Sequence, residues 1–94
     1  MSANLDKITR AVEKAAGCHA FHVESIPVVE MFRGNIVWQG VVESFTLFGN
    51  PIFLAFGWEF QEVHETKYAA VLAIPPVYTA NDAVGAWLVS KARS

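Results

Sequence analysis

The chain has 94 residues, of which 53% are apolar, 13% aromatic and 17% charged, and its formal net charge is −2. This length predicts a single α+β domain over residues 1–94, because two separate cores would not fit. The Lys and Arg residues are dispersed, which argues against nucleic-acid binding. No apolar run approaches the ~20 residues that cross a bilayer, so no membrane partner is expected.

The single cysteine excludes an intrachain disulfide, and the N-terminal segment lacks the apolar centre of a signal peptide. We therefore expect a cytoplasmic protein. The apolar share is above the ~45–50% of an average soluble chain. Because a domain of this size buries only ~60–65% of its unfolded surface, apolar side chains are expected to remain for self-association.

The first predicted element is an amphipathic helix over residues 5–16, with Ser2 or Asn4 as N-cap and Gly17 as the stop. Its apolar positions recur at helical spacing: Leu5, Ile8, Val12 and Ala15. An amphipathic helix of this kind typically covers one face of a sheet.

An antiparallel sheet is predicted next, beginning with a strand region over residues 18–32. Pro27 interrupts this region, which suits an edge strand or two shorter pieces. Arg33-Gly34-Asn35 is a tight reversal into a central hairpin over residues 36–62, which turns at Phe48-Gly49-Asn50-Pro51. A polar loop over residues 63–66 leads to the last strand, residues 67–74.

Alternation in the central hairpin predicts which side chains share a face. In its second strand the large apolar residues occupy even positions: Ile52, Leu54, Phe56, Trp58 and Phe60. In its first strand Gly40 interrupts the alternation. We interpret Gly40 as a β-bulge; the alternative is an unbroken strand with a thin spot at the glycine.

A second helix is predicted from Ala80 to about Ala92, with a capping box at Thr79 and Asp82. Its apolar stripe is Ala83, Val84, Trp87 and Leu88. The predicted order is therefore α-β-β-β-β-α, a four-stranded antiparallel meander flanked by N- and C-terminal helices. We expect both helices to cover one side of the sheet, which leaves the apolar residues of the other side to a second copy or to the curl of the sheet.

One group of side chains is a candidate metal site. Cys18, His22 and Glu24 share a parity in an extended strand, so their side chains would meet on one face as zinc or copper ligands, with His64 as a fourth ligand if its loop folds back. The same thiol with His19 or His22 is a candidate nucleophile and base. The structural alternative is a small buried thiol beside two surface imidazoles.

Aromatic residues offer a second candidate site, an apolar pocket for a small molecule. The predicted lining residues are Trp38, Phe56, Trp58 and Tyr68, with Glu43 or Glu59 as the orienting polar group. The competing interpretation is that these rings form the core or a subunit contact. No glycine-rich phosphate loop is present, and no cofactor is expected.

Short segments along the chain form a pattern of their own: Val37-Trp38-Gln39-Gly40-Val41-Val42-Glu43, Gly49-Asn50-Pro51, Ala70-Val71-Leu72, Pro75-Pro76-Val77 and Asp82-Ala83-Val84. Taken together, this pattern resembles small uncharacterised bacterial proteins, some of the kind found on mobile gene cassettes. The resemblance covers most of the chain. It implies a bacterial, cytoplasmic protein and assigns no activity to any residue.

The leading functional hypothesis is a non-enzymatic interaction protein that forms a homo-oligomer, most simply a dimer, through an apolar sheet face. The predicted contact residues are Trp38, Val42, Phe45, Phe48 and Phe53. The alternative is a small-molecule-binding protein or small enzyme with an aromatic cavity between sheet and helices.

Overall fold

The computed structural model describes residues 4–92, which form two helices and four strands in the predicted order. The elements are α1 (Leu5–Ala16), β1 (Ala20–Phe32), β2 (Asn35–Leu47), β3 (Leu54–Glu62), β4 (Glu65–Leu72) and α2 (Ala80–Ala92). The strands make one antiparallel sheet in the order β1-β2-β3-β4. The predicted α+β class and meander are confirmed. Neither helix among residues 4–92 combines the length and apolar character needed to cross a membrane.

Both helix ends follow from local chemistry. Gly17 ends α1 in the left-handed region (φ 70°), and its N–H donates to the Glu13 carbonyl at 2.8 Å. At the start of α2 the Asp82 N–H donates to Thr79 Oγ1, while Asp82 Oδ2 accepts from the Thr79 N–H; each distance is 3.1 Å. This confirms the predicted capping box. Asn4 occupies the N-cap position of α1 without a side-chain cap bond, and Ser2 lies outside the described residues.

The helices lie on opposite faces of the sheet, so the prediction that both cover one side is wrong. Ile8 of α1 packs in a cluster with Ala55, whereas Val84 of α2 packs in a second cluster with Phe56. Adjacent residues of a strand point to opposite faces, so these two clusters are separated by the sheet. The cause is that β3 and β4 carry apolar residues at both parities. In β3 the residues that face α1 are small and those that face α2 are large.

Small residues on the α1 face let that helix approach closely. A Cβ added to Gly57 would lie 2.7 Å from Ile8 Cγ2 and 2.8 Å from Val12 Cγ2. The glycine therefore provides the space that α1 occupies. On the other face the large side chains of Phe56 and Trp58 fill the volume under α2.

Bulges in the β1–β2 ladder fall at positions other than Gly40. Gly40 pairs with Val28 in continuous register, so the predicted bulge there is wrong. A Cβ on Gly40 would lie 2.8 Å from Cη2 of Trp38, which shows that the glycine lets this indole lie across the strand. The register shifts instead between His22 and Glu24, and again between Glu30 and Met31.

The sheet forks beyond its centre. β2 and β3 pair only from Glu43↔Gly57 to Thr46↔Leu54, whereas β1–β2 pairing continues to Phe32↔Asn35 and β3–β4 pairing to Glu62↔Glu65. Residues 26–42 thus form a two-stranded extension that does not pair with β3. We call this extension the β1–β2 arm.

Turns in the rest of the sheet are short. Arg33 and Gly34 make the predicted reversal, with φ of 53° and 80°. The predicted loop over residues 63–66 is only the two-residue turn Val63-His64, because Glu65 and Thr66 already belong to β4. At the β2–β3 connection Asn50 Nδ2 donates to the Ala16 carbonyl at 3.0 Å, which ties this loop to the end of α1.

Candidate functional site

An open cleft of about 850 Å³ occupies the fork between β2 and β3. We call it the fork cleft, and the side chains that matter most for its chemistry are Trp38, Glu43, Glu59, Phe60, Trp87 and Lys91. Odd and even residues of both strands line it, together with Ile8 of α1 and Trp87 of α2. Because α1 and α2 lie on opposite faces, the fork cleft passes through the plane of the sheet.

Glu43 forms the polar wall of the fork cleft on the α1 side. It is only 6% exposed, and its Oε1 accepts hydrogen bonds from Ser25 Oγ at 2.5 Å and His22 Nε2 at 2.7 Å. The β1 bulge makes this possible. Without the extra residue between His22 and Glu24, His22 and Ser25 would point to opposite faces of the strand.

Glu59 is the second carboxylate of the fork cleft, and it accepts a hydrogen bond from Asn4 Nδ2 at the start of α1. Glu43 and Glu59, each predicted as the orienting polar group of a pocket, lie in adjacent strands. Both line the cleft, but they are not cross-strand partners, because β2–β3 pairing ends at Glu43↔Gly57.

Aromatic rings form the wall on the α2 side. Trp58 contacts Trp38 and Trp87 edge to face, with ring centroids 6.0 and 5.5 Å apart, and Trp87 contacts Phe60 at 4.8 Å. Lys91 Nζ lies 4.8 Å from the centroid of Phe60 and 5.1 Å from that of Trp87. The rings therefore already accept an ammonium group on their faces.

Lys91 is fixed at the rim by Glu62, whose Oε2 lies 2.8 Å from Nζ. Hydrogen bonds from Lys91 and then Lys67 lower the pKa of the Glu62 carboxyl. Lys67 also pairs with Glu65, so two carboxylates balance the two ammonium groups, and Lys91 is neutralised at the rim.

The predicted ligand-binding residues are divided by the structure. Trp38, Glu43 and Glu59 line the fork cleft, but Phe56 and Trp58 are buried in the core under α2. Tyr68 packs on the opposite face, in the α1 cluster. Trp87 and Lys91 were missed as site residues; their signal in the sequence was the four-residue spacing that places both on one face of α2.

The bulge that brings His22 and Ser25 to Glu43 also separates two of the predicted metal ligands. His22 pairs with Phe45 and Glu24 with Ser44, so their side chains lie on opposite faces rather than on one. Across residues 4–92, His, Cys, Asp and Glu side chains form no group of three suited to a metal ion. Both His19 and His22 contact glutamates, Glu13 and Glu43, rather than the half-buried Cys18 thiol.

A second surface of interest lies on the β1–β2 arm. On the face that carries α2, the arm is covered: Val28 is in the α2 cluster, and a Cβ on Gly85 of α2 would lie 3.2 Å from Glu30 Oε1. The opposite face exposes large apolar side chains, which we call the bare arm face: Val29, Met31, Ile36 and Val41.

The residues predicted for a subunit contact do not lie on the bare arm face. Val42 and Phe45 are fully buried within the protomer, and Trp38 packs against Trp58 on the α2 side. Phe48 and Phe53 are exposed, but they lie at the β2–β3 connection, at the other end of β2.

Comparison with known proteins adds no family to this description. No protein-family model matches the chain, and neither the curated proteins nor the solved structures contain a match.

Proposed function

We propose that the protein is a non-enzymatic interaction module that works as a homodimer, joined through the bare arm face. The observation that carries this proposal is the contrast between the two faces of one strand pair. α2 packs on one face of the arm, while the apolar residues of the other face meet neither helix closely enough to be buried.

Charge supports the same conclusion. Residues 35–42 contain no charged side chain, and Glu30, the charged residue within residues 26–32, lies on the α2 side. Strands that remain in water usually carry charges that discourage association. The centre of a subunit interface is instead depleted of charge and rich in large apolar groups. The bare arm face therefore has the composition of an interface.

A two-fold dimer is the simplest assembly that buries this surface. Two bare arm faces packed against each other present the same residues from each copy, which is the self-complementary contact of a two-fold axis. Sheets that pack face to face lie ~10 Å apart with interdigitated side chains. Met31 and Ile36 are cross-strand partners near the arm tip, so they fall together in this contact.

Sedimentation equilibrium over a range of protein concentrations tests the proposal. The wild-type protein is expected to form a dimer, and Ile36→Asp to raise the dimer dissociation constant at least about ten-fold, or ~1.4 kcal/mol. Ile74→Asp is the matched control, because Ile74 is 51% exposed and Ile36 57% exposed, but Ile74 lies after β4 and away from the arm.

The expected result is a dimer for wild type and Ile74→Asp and a monomer for Ile36→Asp at the same concentration. A wild-type protein that stays monomeric at the highest concentration overturns the proposal. Equal weakening by both substitutions would show that the contact does not lie on the bare arm face.

A further inference from the structure

The fork cleft contains two carboxylates that no Lys or Arg among the described residues pairs with. Among residues 4–92 no Lys or Arg forms an ion pair with Glu43 or Glu59; the only ion-pair partner of Glu43 is the His22 imidazole. Both hydrogen bonds to Glu43 reach Oε1, from Ser25 and His22. A buried carboxylate held in place by such donors is stabilised further when a cation approaches.

The opposite wall of the same cleft is suited to a cation on an apolar body. Lys91 Nζ already occupies the cation position over the rings of Phe60 and Trp87, so the ammonium group of a ligand is left to the carboxylates. The Trp38 indole lies across Gly40 and gives the cleft a flat apolar surface. Such a surface is suited to stacking with a small ring or an alkyl chain.

The charge of the fork cleft discriminates between ligand classes. Its charged lining residues are Glu43, Glu59 and Lys91, and the last is paired with Glu62. The carboxylates therefore dominate the local field. A carboxylate or phosphate ligand would meet like charge in a partly desolvated site, whereas an ammonium group would meet opposite charge.

From these observations we propose that the fork cleft binds a small organic cation, an amine that carries an aromatic or apolar body. The ammonium group lies between Glu43 and Glu59, and the body packs on Trp38 and the rings on the α2 side. The volume of about 850 Å³ admits a molecule of this size. The site shares Trp38, Glu43 and Glu59 with the aromatic pocket predicted from the sequence but excludes Trp58 and Tyr68, which lie on opposite faces.

A matched series of three probes tests the proposal: 2-phenylethylamine, 2-phenylethanol and phenylacetate, which share a body and differ in charge. Binding is measured by NMR through the shifts of the indole N–H signals of Trp38 and Trp87, with calorimetry for affinity. The amine is expected to bind at least about ten-fold more tightly than the alcohol. Phenylacetate is expected not to bind.

Variants locate the ammonium contact. Glu43→Gln and Glu59→Gln are each expected to reduce the preference for amine over alcohol, while Glu65→Gln, on the exposed start of β4, leaves it unchanged. Circular dichroism shows whether each variant folds. If the buried Glu43→Gln variant does not fold, Glu59→Gln still tests the contact. Equal affinity for the three probes, tighter binding of phenylacetate, or no binding of the amine overturns the proposal. An amine preference that survives both substitutions overturns the assigned contact.

Discussion

Replacing Gly57 with alanine tests how closely α1 packs on the sheet. The added methyl would lie 2.7 Å from Ile8 Cγ2, 2.8 Å from Val12 Cγ2 and 3.3 Å from the Ala69 carbonyl oxygen. Ordinary carbon–carbon contacts are ~3.5–4.0 Å, so each methyl contact is too short by roughly 1 Å. Ile8 is 3% exposed and Val12 0% exposed, so neither side chain can turn into solvent.

The expected cost follows from two opposing effects. Overpacking a core costs ~1–3 kcal/mol, and replacing glycine with alanine returns ~0.4–1 kcal/mol by restricting the unfolded chain. We therefore expect Gly57→Ala to lower the free energy of unfolding by about 1–2 kcal/mol. In a domain of this size that corresponds to a fall in Tm of about 4–16 °C.

Urea unfolding followed by circular dichroism measures this loss, at one protein concentration because dimerisation would shift the midpoint. Gly85→Ala is the matched control. It adds a methyl in the middle of α2, where the nearest atom is the movable Glu30 Oε1 at 3.2 Å. Helix propensity then predicts a gain of up to about 1 kcal/mol.

The double variant Gly57→Ala/Val12→Ala identifies the cause. Val12→Ala removes one of the atoms that the new methyl would strike, so the combined loss should be smaller than the sum of the single losses. The proposed close packing of α1 is refuted if Gly57→Ala is as stable as wild type, or if the two substitutions are additive.

Three further changes probe local features. Gly40→Ala places a methyl 2.8 Å from Trp38 Cη2, so the indole should turn away and shift its N–H signal by NMR with little loss of stability; an unchanged signal contradicts this. Val63 is 84% exposed with φ 30°, and Val63→Asn should raise stability by about 1 kcal/mol in thermal unfolding, because asparagine tolerates this region; a lower Tm contradicts it. The Tyr78 N–H bonds Asp82 and lowers its pKa below the ordinary 3.8. The ionised Asp82 therefore stabilises the folded state fully above pH 3.8, and this contribution is lost as the pH falls through the folded-state pKa. Asp82→Asn should accordingly lose less stability on acidification than the wild-type protein, and parallel losses would contradict this.

Local chemistry made much of the fold predictable. Gly17 in the left-handed region, the Thr79–Asp82 capping box and the Arg33-Gly34 reversal depend on neighbouring residues, and the structure confirms all of them. The even-position alternation of β3 also correctly placed Phe56 and Trp58 on one face.

Features that depend on pairing between distant residues were not predictable in this way. No glycine or proline marks the bulge between His22 and Glu24 in the sequence. The bulge places Glu24 on the face opposite to His22, whereas the alternation of Cys18, His22 and Glu24 predicted a shared face. Ala55 and Gly57 give α1 the space to pack closely on β3. Nothing local, however, assigned α1 to that face.

The fork cleft was accessible to sequence reasoning only in part. Trp38, Glu43 and Glu59 were identified by residue type. Where β2 and β3 separate depends on the length of a ladder, and no residue near Glu43↔Gly57 marks its end.

The short ladder between β2 and β3 has a mechanical consequence. Within residues 4–92, the backbone hydrogen bonds that join the two hairpins lie between Glu43↔Gly57 and Thr46↔Leu54, with the Leu47 N–H to Phe53 carbonyl bond beside them. Rotating one hairpin about this seam changes the width of the opening and leaves the hydrogen bonds inside each hairpin intact. The dimensions of the opening and the cohesion of each hairpin are thus separate properties, open to separate adjustment by substitution.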